Sequence, residues 1–133
     1  AAGLAEIDTY TRFSAQVDQT KRALLRFLID AKEQGLRVAG YGAPAKGNTL
    51  LNYCGVRTDL IDFTVDASPH KQGTWLPGTR IPVYAPEKLR EAKPDIVLIL
   101  PWNLKDEIIT AHSYIHEWGG RFAVPIPRVE FVA

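Results

Sequence analysis

Residues 37–49 read Arg-Val-Ala-Gly-Tyr-Gly-Ala-Pro-Ala-Lys-Gly-Asn-Thr, which gathers three glycines, a lysine, an amide and a hydroxyl into one short stretch. A β run ends at Gly40, a glycine-rich turn follows, and a helix is expected from about Ala45. Main-chain N–H groups at such a helix N-terminus are placed to meet a phosphate. The spacing Gly40-x-Gly42-x-x-Ala45 fits a dinucleotide-type fingerprint with alanine as the third small residue. At Gly40 and Gly42 a Cβ would collide with a ligand or force an unfavourable φ. Lys46 adds a charge-assisted contact, and Ala43, Gly47, Asn48 and Thr49 complete the stretch. The chemistry predicted is recognition of a diphosphate group; the competing reading is a turn that only packs strand on helix.

Other side chains take their meaning from this turn. Asp66 lies 26 residues past Gly40, somewhat beyond the usual distance for an acid that binds ribose hydroxyls. It reads either as a solvated strand-end carboxylate or as an acceptor for a sugar or nucleoside hydroxyl. His70, beside Lys71 and Gln72, is a candidate phosphate contact or a surface histidine. Trp102 and Asn103 follow an apolar run directly, and either stack on and hydrogen-bond a ring or pack. Residues 42–49 approach a Walker A pattern, but Asn48 stands where its lysine belongs and no acid ends the 95–100 run, so an NTPase is not expected. His112 and His116 stand four apart with no third metal ligand in view, and read as a solvated helix face. Cys54 has no activating base and reads as core.

The elements that must position these residues follow from periodicity. Apolar residues Phe13, Val17, Leu24, Leu25, Leu28 and Ala31 predict an amphipathic helix over 9–34, stopped by Gly35. Strands are expected at Leu36–Gly40, Leu60–Val65, Ile81–Tyr84, Asp95–Leu100 and from Arg121 to Val124. Helices are expected at 45–54, from Pro86 to about Ala92, and over Leu104–Trp118; residues 67–80 are expected as loop, and Pro125 and Pro127 send the last segment to a sheet edge or beyond. Alternating strands and helices imply βαβ units and a parallel sheet, with ligands beyond the carboxyl ends of the strands. That edge gathers Gly40–Lys46, Asp66–Gly73 and Pro101–Asn103.

With 133 residues, 46% hydrophobic and 23% charged, the chain is expected to form one domain. A net charge of +1, with basic and acidic residues intermixed, argues against a nucleic acid partner. The longest aliphatic run, Ile96–Leu100, is too short to cross a bilayer, and no signal-peptide pattern is visible. A single cysteine fits a reducing compartment, and a cytoplasmic location is expected. The chain holds no methionine and begins Ala-Ala-Gly, so it is expected to be part of a longer polypeptide.

Four segments together carry a resemblance: Gly40-Tyr-Gly-Ala-Pro-Ala-Lys-Gly-Asn-Thr-Leu-Leu-Asn52, Ile61–Gly73, Leu76–Pro82 and Ile99-Leu-Pro-Trp-Asn103. In this order they resemble the C-terminal domain of S-adenosylmethionine-dependent sugar C-methyltransferases, across essentially the whole chain. The resemblance implies a single Rossmann-like domain over 1–133, a leading helix over 1–35 and an α/β core over 36–133. Its architecture would be a three-layer sandwich with a mostly parallel sheet. It implies a parent enzyme in which a zinc-binding region and a central methyltransferase domain precede this one. S-adenosylmethionine, zinc and the general base would belong to those parts, and no cofactor to this domain. The base would deprotonate a ring carbon beside a ketone, and the enolate would take the methyl group. This domain would help hold a nucleotide-diphosphate sugar, through the Gly40–Thr49 turn, Lys46, Asn52, Asp66 and the Ser68–Gly73 loop, and would be inactive alone. Two other readings stand beside it: a self-contained dinucleotide- or CoA-binding module, and a docking domain whose helix over 9–34 packs on a partner.

Overall fold

The computed structural model describes the backbone of residues 2–133 and the side chains of residues 17–133. Helix α1 spans Ala2–Glu33. Its inward stripe is Leu24, Leu28 and Ala31, each at most 3% exposed, with Leu25 and Phe27 at the margin; Phe13 lies outside the described side chains. Gly35 takes φ +76° and ends the helix, its N–H donating to the Lys32 carbonyl while the Leu36 N–H reaches Ala31. The described part of the apolar stripe is therefore consumed by the domain's own core, and Ile29 is the one large apolar side chain of that part left exposed.

Six strands follow: β1 (Val38–Tyr41), β2 (Thr64–Val65), β3 (Val83–Tyr84), β4 (Ile96–Ile99), β5 (Arg121–Val124) and β6 (Glu130–Phe131). They lie in the order β3-β2-β1-β4-β5-β6, parallel except for β6. Strand residues alternate between two cores. Val38, Ile96, Leu98 and Ala123 face Leu24, Leu28, Leu51 and Cys54 from α1 and α2 (Ala45–Cys54). Ala39, Val97, Ile99, Phe122 and Val124 face Leu89 of α3 (Lys88–Ala92), Ile108 of α4 (Lys105–Ala111) and Ile115. One helical layer on each face of a central sheet is the three-layer arrangement expected from the sequence.

Two long expected elements change shape. The run Leu60–Val65 is strand only at Thr64–Val65, because Leu60 and Ile61 both donate to the Arg57 carbonyl in a turn. Thr64 is fully buried and donates its hydroxyl to the Gly42 carbonyl at 2.7 Å. The helix expected over Leu104–Trp118 is broken at His112 (φ −123°, ψ 27°), where α4 gives way to a 3-10 helix over Ser113–Trp118. The segment after Pro125 and Pro127 lies at the sheet edge, as expected, where it returns as the antiparallel strand β6 pairing Ala123 with Phe131 and Val124 with Glu130.

Candidate functional site

The glycine turn connects β1 to α2, with Pro44 as the residue before the helix. Gly42 has φ +96°, and a Cβ there would stand 2.6 Å from Pro101 Cδ. A Cβ on Gly47 would stand 2.9 Å from Leu100 Cβ and 3.3 Å from the Leu100 carbonyl oxygen. The third small residue required by close helix–sheet packing is thus Gly47; Ala45, which the fingerprint spacing assigned to that place, is exposed. The helix starts at Ala45, and its first turn brings residue 47 onto the end of β4.

Two turn amides are used internally. The Gly42 N–H donates to the Val65 carbonyl, and the Ala43 N–H donates to Asp66 Oδ2 at 2.8 Å. The other Asp66 oxygen accepts the Ser68 N–H at 2.8 Å. Lys71 Nζ donates to the Ala43 carbonyl at 2.8 Å, and Gln72 Nε2 to the Asp66 carbonyl at 2.9 Å. The loop after β2 is therefore stitched to the turn after β1. The N–H groups of Ala45, Lys46 and Gly47, the first three of α2, have no hydrogen-bond partner among the described residues. These are the donors that a helix leaves open at its start.

Beside them a cleft of about 400 Å³ opens at the carboxyl edge of the sheet. Tyr41 ends β1 and Gly42–Pro44 follow it, Asp66, Ala67 and Lys71 follow β2, Pro101 follows β4, and Leu104, Glu107, Ile108, Ala111 and His112 close the far wall. The strand order reverses between β1 and β4, the place where open α/β sheets take ligands. A larger cavity of about 650 Å³ lies between α1 and the β5–β6 reversal. Apolar side chains such as Val17, Ala23, Leu50 and Val129 line much of it, and its described lining lacks the convergent carboxylates and open amides of the smaller cleft.

Of the residues singled out in the sequence, Gly42, Ala43, Asp66 and Lys71 line this cleft. Gly40 and Gly47 are buried behind it, and Lys46 is exposed on the first turn of α2. Asn48, Thr49 and Asn52 lie outside its lining. The Thr49 hydroxyl donates to the Ala45 carbonyl, and Asn52 Nδ2 donates to the Asn48 and Pro77 carbonyls, the latter at 2.8 Å, which ties the 74–80 loop to α2. Ser68 and Gln72 hold the loop, and His70 is exposed. A 3-10 turn over Trp102–Leu104 places Trp102 against the core beneath α4 and leaves Asn103 exposed, while Leu104 reaches the cleft.

The wall also holds His112, which helical spacing assigned to a solvated face but which is half-buried beside Tyr41 and Tyr114. His112 lies between two phenols, with Nε2 3.0 Å from Tyr41 Oη and Nδ1 2.9 Å from Tyr114 Oη. Burial holds the His112 pKa below its ordinary value, so the ring is neutral at pH 7. Burial, and then the charge of Asp66, push the Tyr41 pKa up, so its proton stays on. Tyr41 and His112 are 71 residues apart, and only the fold joins them. His116, which helical spacing placed on the same face as His112, instead contacts the Gly120 carbonyl through Nδ1. Among the described residues no group of three His, Cys, Asp or Glu is disposed to hold a metal ion.

The neutral histidine has a consequence for stability. Because its pKa is lowered by folding, the unfolded chain binds a proton more readily, and stability falls with pH. The loss begins near pH 6.5, the ordinary value for imidazole, and is complete once pH has fallen below the lowered value. Thermal melts at pH 7.5, 6.5 and 5.5 should show a steeper acid decline in the unaltered protein than in His112→Gln. Parallel declines would refute this account.

Strand order, layers and cleft define a Rossmann-type α/β domain with an open cleft at the sheet's carboxyl edge. The fold is shared with UDP-D-quinovosamine 4-dehydrogenase from Vibrio fischeri, at a TM-score of 0.51 and 16% identity over 74% of this chain and 93% of that one. Residues 1–127 match the C-methyltransferase C-terminal domain. The chain is also 40% identical over 131 residues to C-methyltransferase NovU of Streptomyces niveus. That match takes in 98% of this chain but only 31% of the relative's length. The chain belongs to the C-methyltransferase C-terminal domain family. No helix among the described residues is long and apolar enough to cross a membrane.

Proposed function

We propose that this chain is the nucleotide-sugar-binding domain of a longer C-methyltransferase and transfers no methyl group alone. The observation that carries the reading is the carboxyl-edge cleft flanked by the open first turn of α2, in a chain of this family. The diphosphate would rest on the amides of Ala45–Gly47 with Lys46 beside it, where the helix dipole favours an anion. S-adenosylmethionine, zinc and the base that deprotonates the ring carbon would lie in the remainder of the parent enzyme, docked against this domain in the cytoplasm. A dinucleotide or CoA reading is weaker here, because the family matched along residues 1–127 is that of C-methyltransferases.

Titration calorimetry with a thymidine-diphosphate sugar, NAD and CoA separates these readings. The expected result is binding of the sugar nucleotide alone, weakened about tenfold by Lys46→Ala, as loss of one charged contact worth about 1.4 kcal/mol would give. Binding of NAD or CoA in its place, or an affinity indifferent to Lys46→Ala, would overturn the assignment.

A further inference from the structure

The cleft carries the wrong charge for a diphosphate. Asp66 and Glu107 bring two carboxylates, and Lys71, the one cationic side chain among the described residues of the lining, already has its Nζ on the Ala43 carbonyl. Carboxylates are acceptors, suited to hydroxyl groups rather than to phosphate oxygens. Beside them stands the Tyr41–His112–Tyr114 chain. A neutral imidazole has one N–H and one lone pair, so it donates to one phenol and accepts from the other. With the proton on Nε2, His112 donates to Tyr41 and accepts from Tyr114, which leaves the Tyr41 hydroxyl proton free. Asp66 lies near enough for its charge to act on Tyr41, and both residues line the cleft.

We propose that the cleft seats a hydroxylated sugar ring of the ligand, to which Tyr41 donates a hydrogen bond while Asp66 and Glu107 accept from ring hydroxyls. The diphosphate then lies outside, on the first turn of α2. His112 is a positioning residue, which acts by orienting the Tyr41 hydroxyl. The inference rests on the nucleotide-sugar reading above and adds where the sugar sits and what recognises it. The ring is either the nucleoside pentose or the transferred hexose, which present the same chemistry.

Calorimetry with inorganic diphosphate, dTDP and dTDP-glucose tests this in the unaltered protein and in Tyr41→Phe, Glu107→Gln, His112→Gln and His112→Phe. Tyr41→Phe and Glu107→Gln should each weaken a sugar-bearing probe about fivefold to tenfold and leave inorganic diphosphate unchanged. A loss already present with dTDP places the pentose in the cleft; a loss confined to dTDP-glucose places the hexose there. His112→Gln, which keeps one donor and one acceptor, should retain more of the sugar preference than His112→Phe at equal diphosphate affinity. If Lys46→Ala weakens every probe while Tyr41→Phe and Glu107→Gln change none, the cleft inference fails and the diphosphate reading survives. If no probe binds at millimolar concentration, both fail.

Discussion

Gly42→Ala should lower the unfolding free energy by about 3 kcal/mol, combining a left-handed backbone penalty of about 1–2 kcal/mol with an overpacking penalty of about 1–3 kcal/mol. Both penalties apply at this position. The residue holds φ +96°, and the new methyl would enter the space of the Pro101 ring, whose Cδ stands 2.6 Å away. At a domain of this size the melting temperature should drop by roughly 12 °C. Gly55→Ala is the control: Gly55 also has positive φ (+72°), but nothing lies within 4 Å of its added Cβ. It should cost only the conformational part, about 1 kcal/mol. The difference between the two melts therefore isolates the contact between the glycine turn and the end of β4. Equal melts would mean that Pro101 moves aside and that the turn is not a rigid wall of the cleft. Because Gly42 and Ala43 form that wall, ligand affinity should fall with Gly42→Ala even where the protein remains folded.

Asp66→Ala should be the second large effect, a loss of about 3 kcal/mol, since each hydrogen bond to a charged acceptor is worth about 1.5–3 kcal/mol and this carboxylate is only half-buried. The side chain accepts the Ala43 N–H with one oxygen and the Ser68 N–H with the other, both at 2.8 Å. Asp66→Asn keeps one acceptor and turns a second N–H towards a backbone N–H, so it should recover less than half of the loss. Chemical denaturation gives the free energies. Hydrogen exchange gives the location: the amides of Ala43 and Ser68 should lose protection in both variants, while those of Val97 and Leu98 in the middle of the sheet follow global stability. Unchanged protection at Ala43 and Ser68 would show that the loop after β2 is held to the glycine turn by Lys71 and Gln72 without the carboxylate.

These two residues also show how far the sequence could be read. The turn was visible because it is local: closely spaced glycines and a lysine between an apolar run and a helical pattern mark a strand–turn–helix whatever surrounds them. The same locality made α1 and its stop at Gly35 legible, as well as the buried run of β4. The spacing rule nonetheless chose Ala45 as the third small residue, because a fingerprint counts positions along the chain. Packing chose Gly47, because α2 lies with that residue against Leu100.

By itself the sequence determined the helix stripes, the buried strands, the βαβ alternation and the glycine turn, all set by neighbours a few residues apart and by the water they avoid. The tertiary structure alone decided which polar groups meet. It turned the Asp66 carboxylate onto the Ala43 amide and placed Asn52 on the Pro77 carbonyl. It also broke the helix at His112, so that the ring stands between Tyr41 and Tyr114. Such contacts join distant strand ends, and hydrogen bonds across a sheet edge depend on positions in space that periodicity along a chain does not encode.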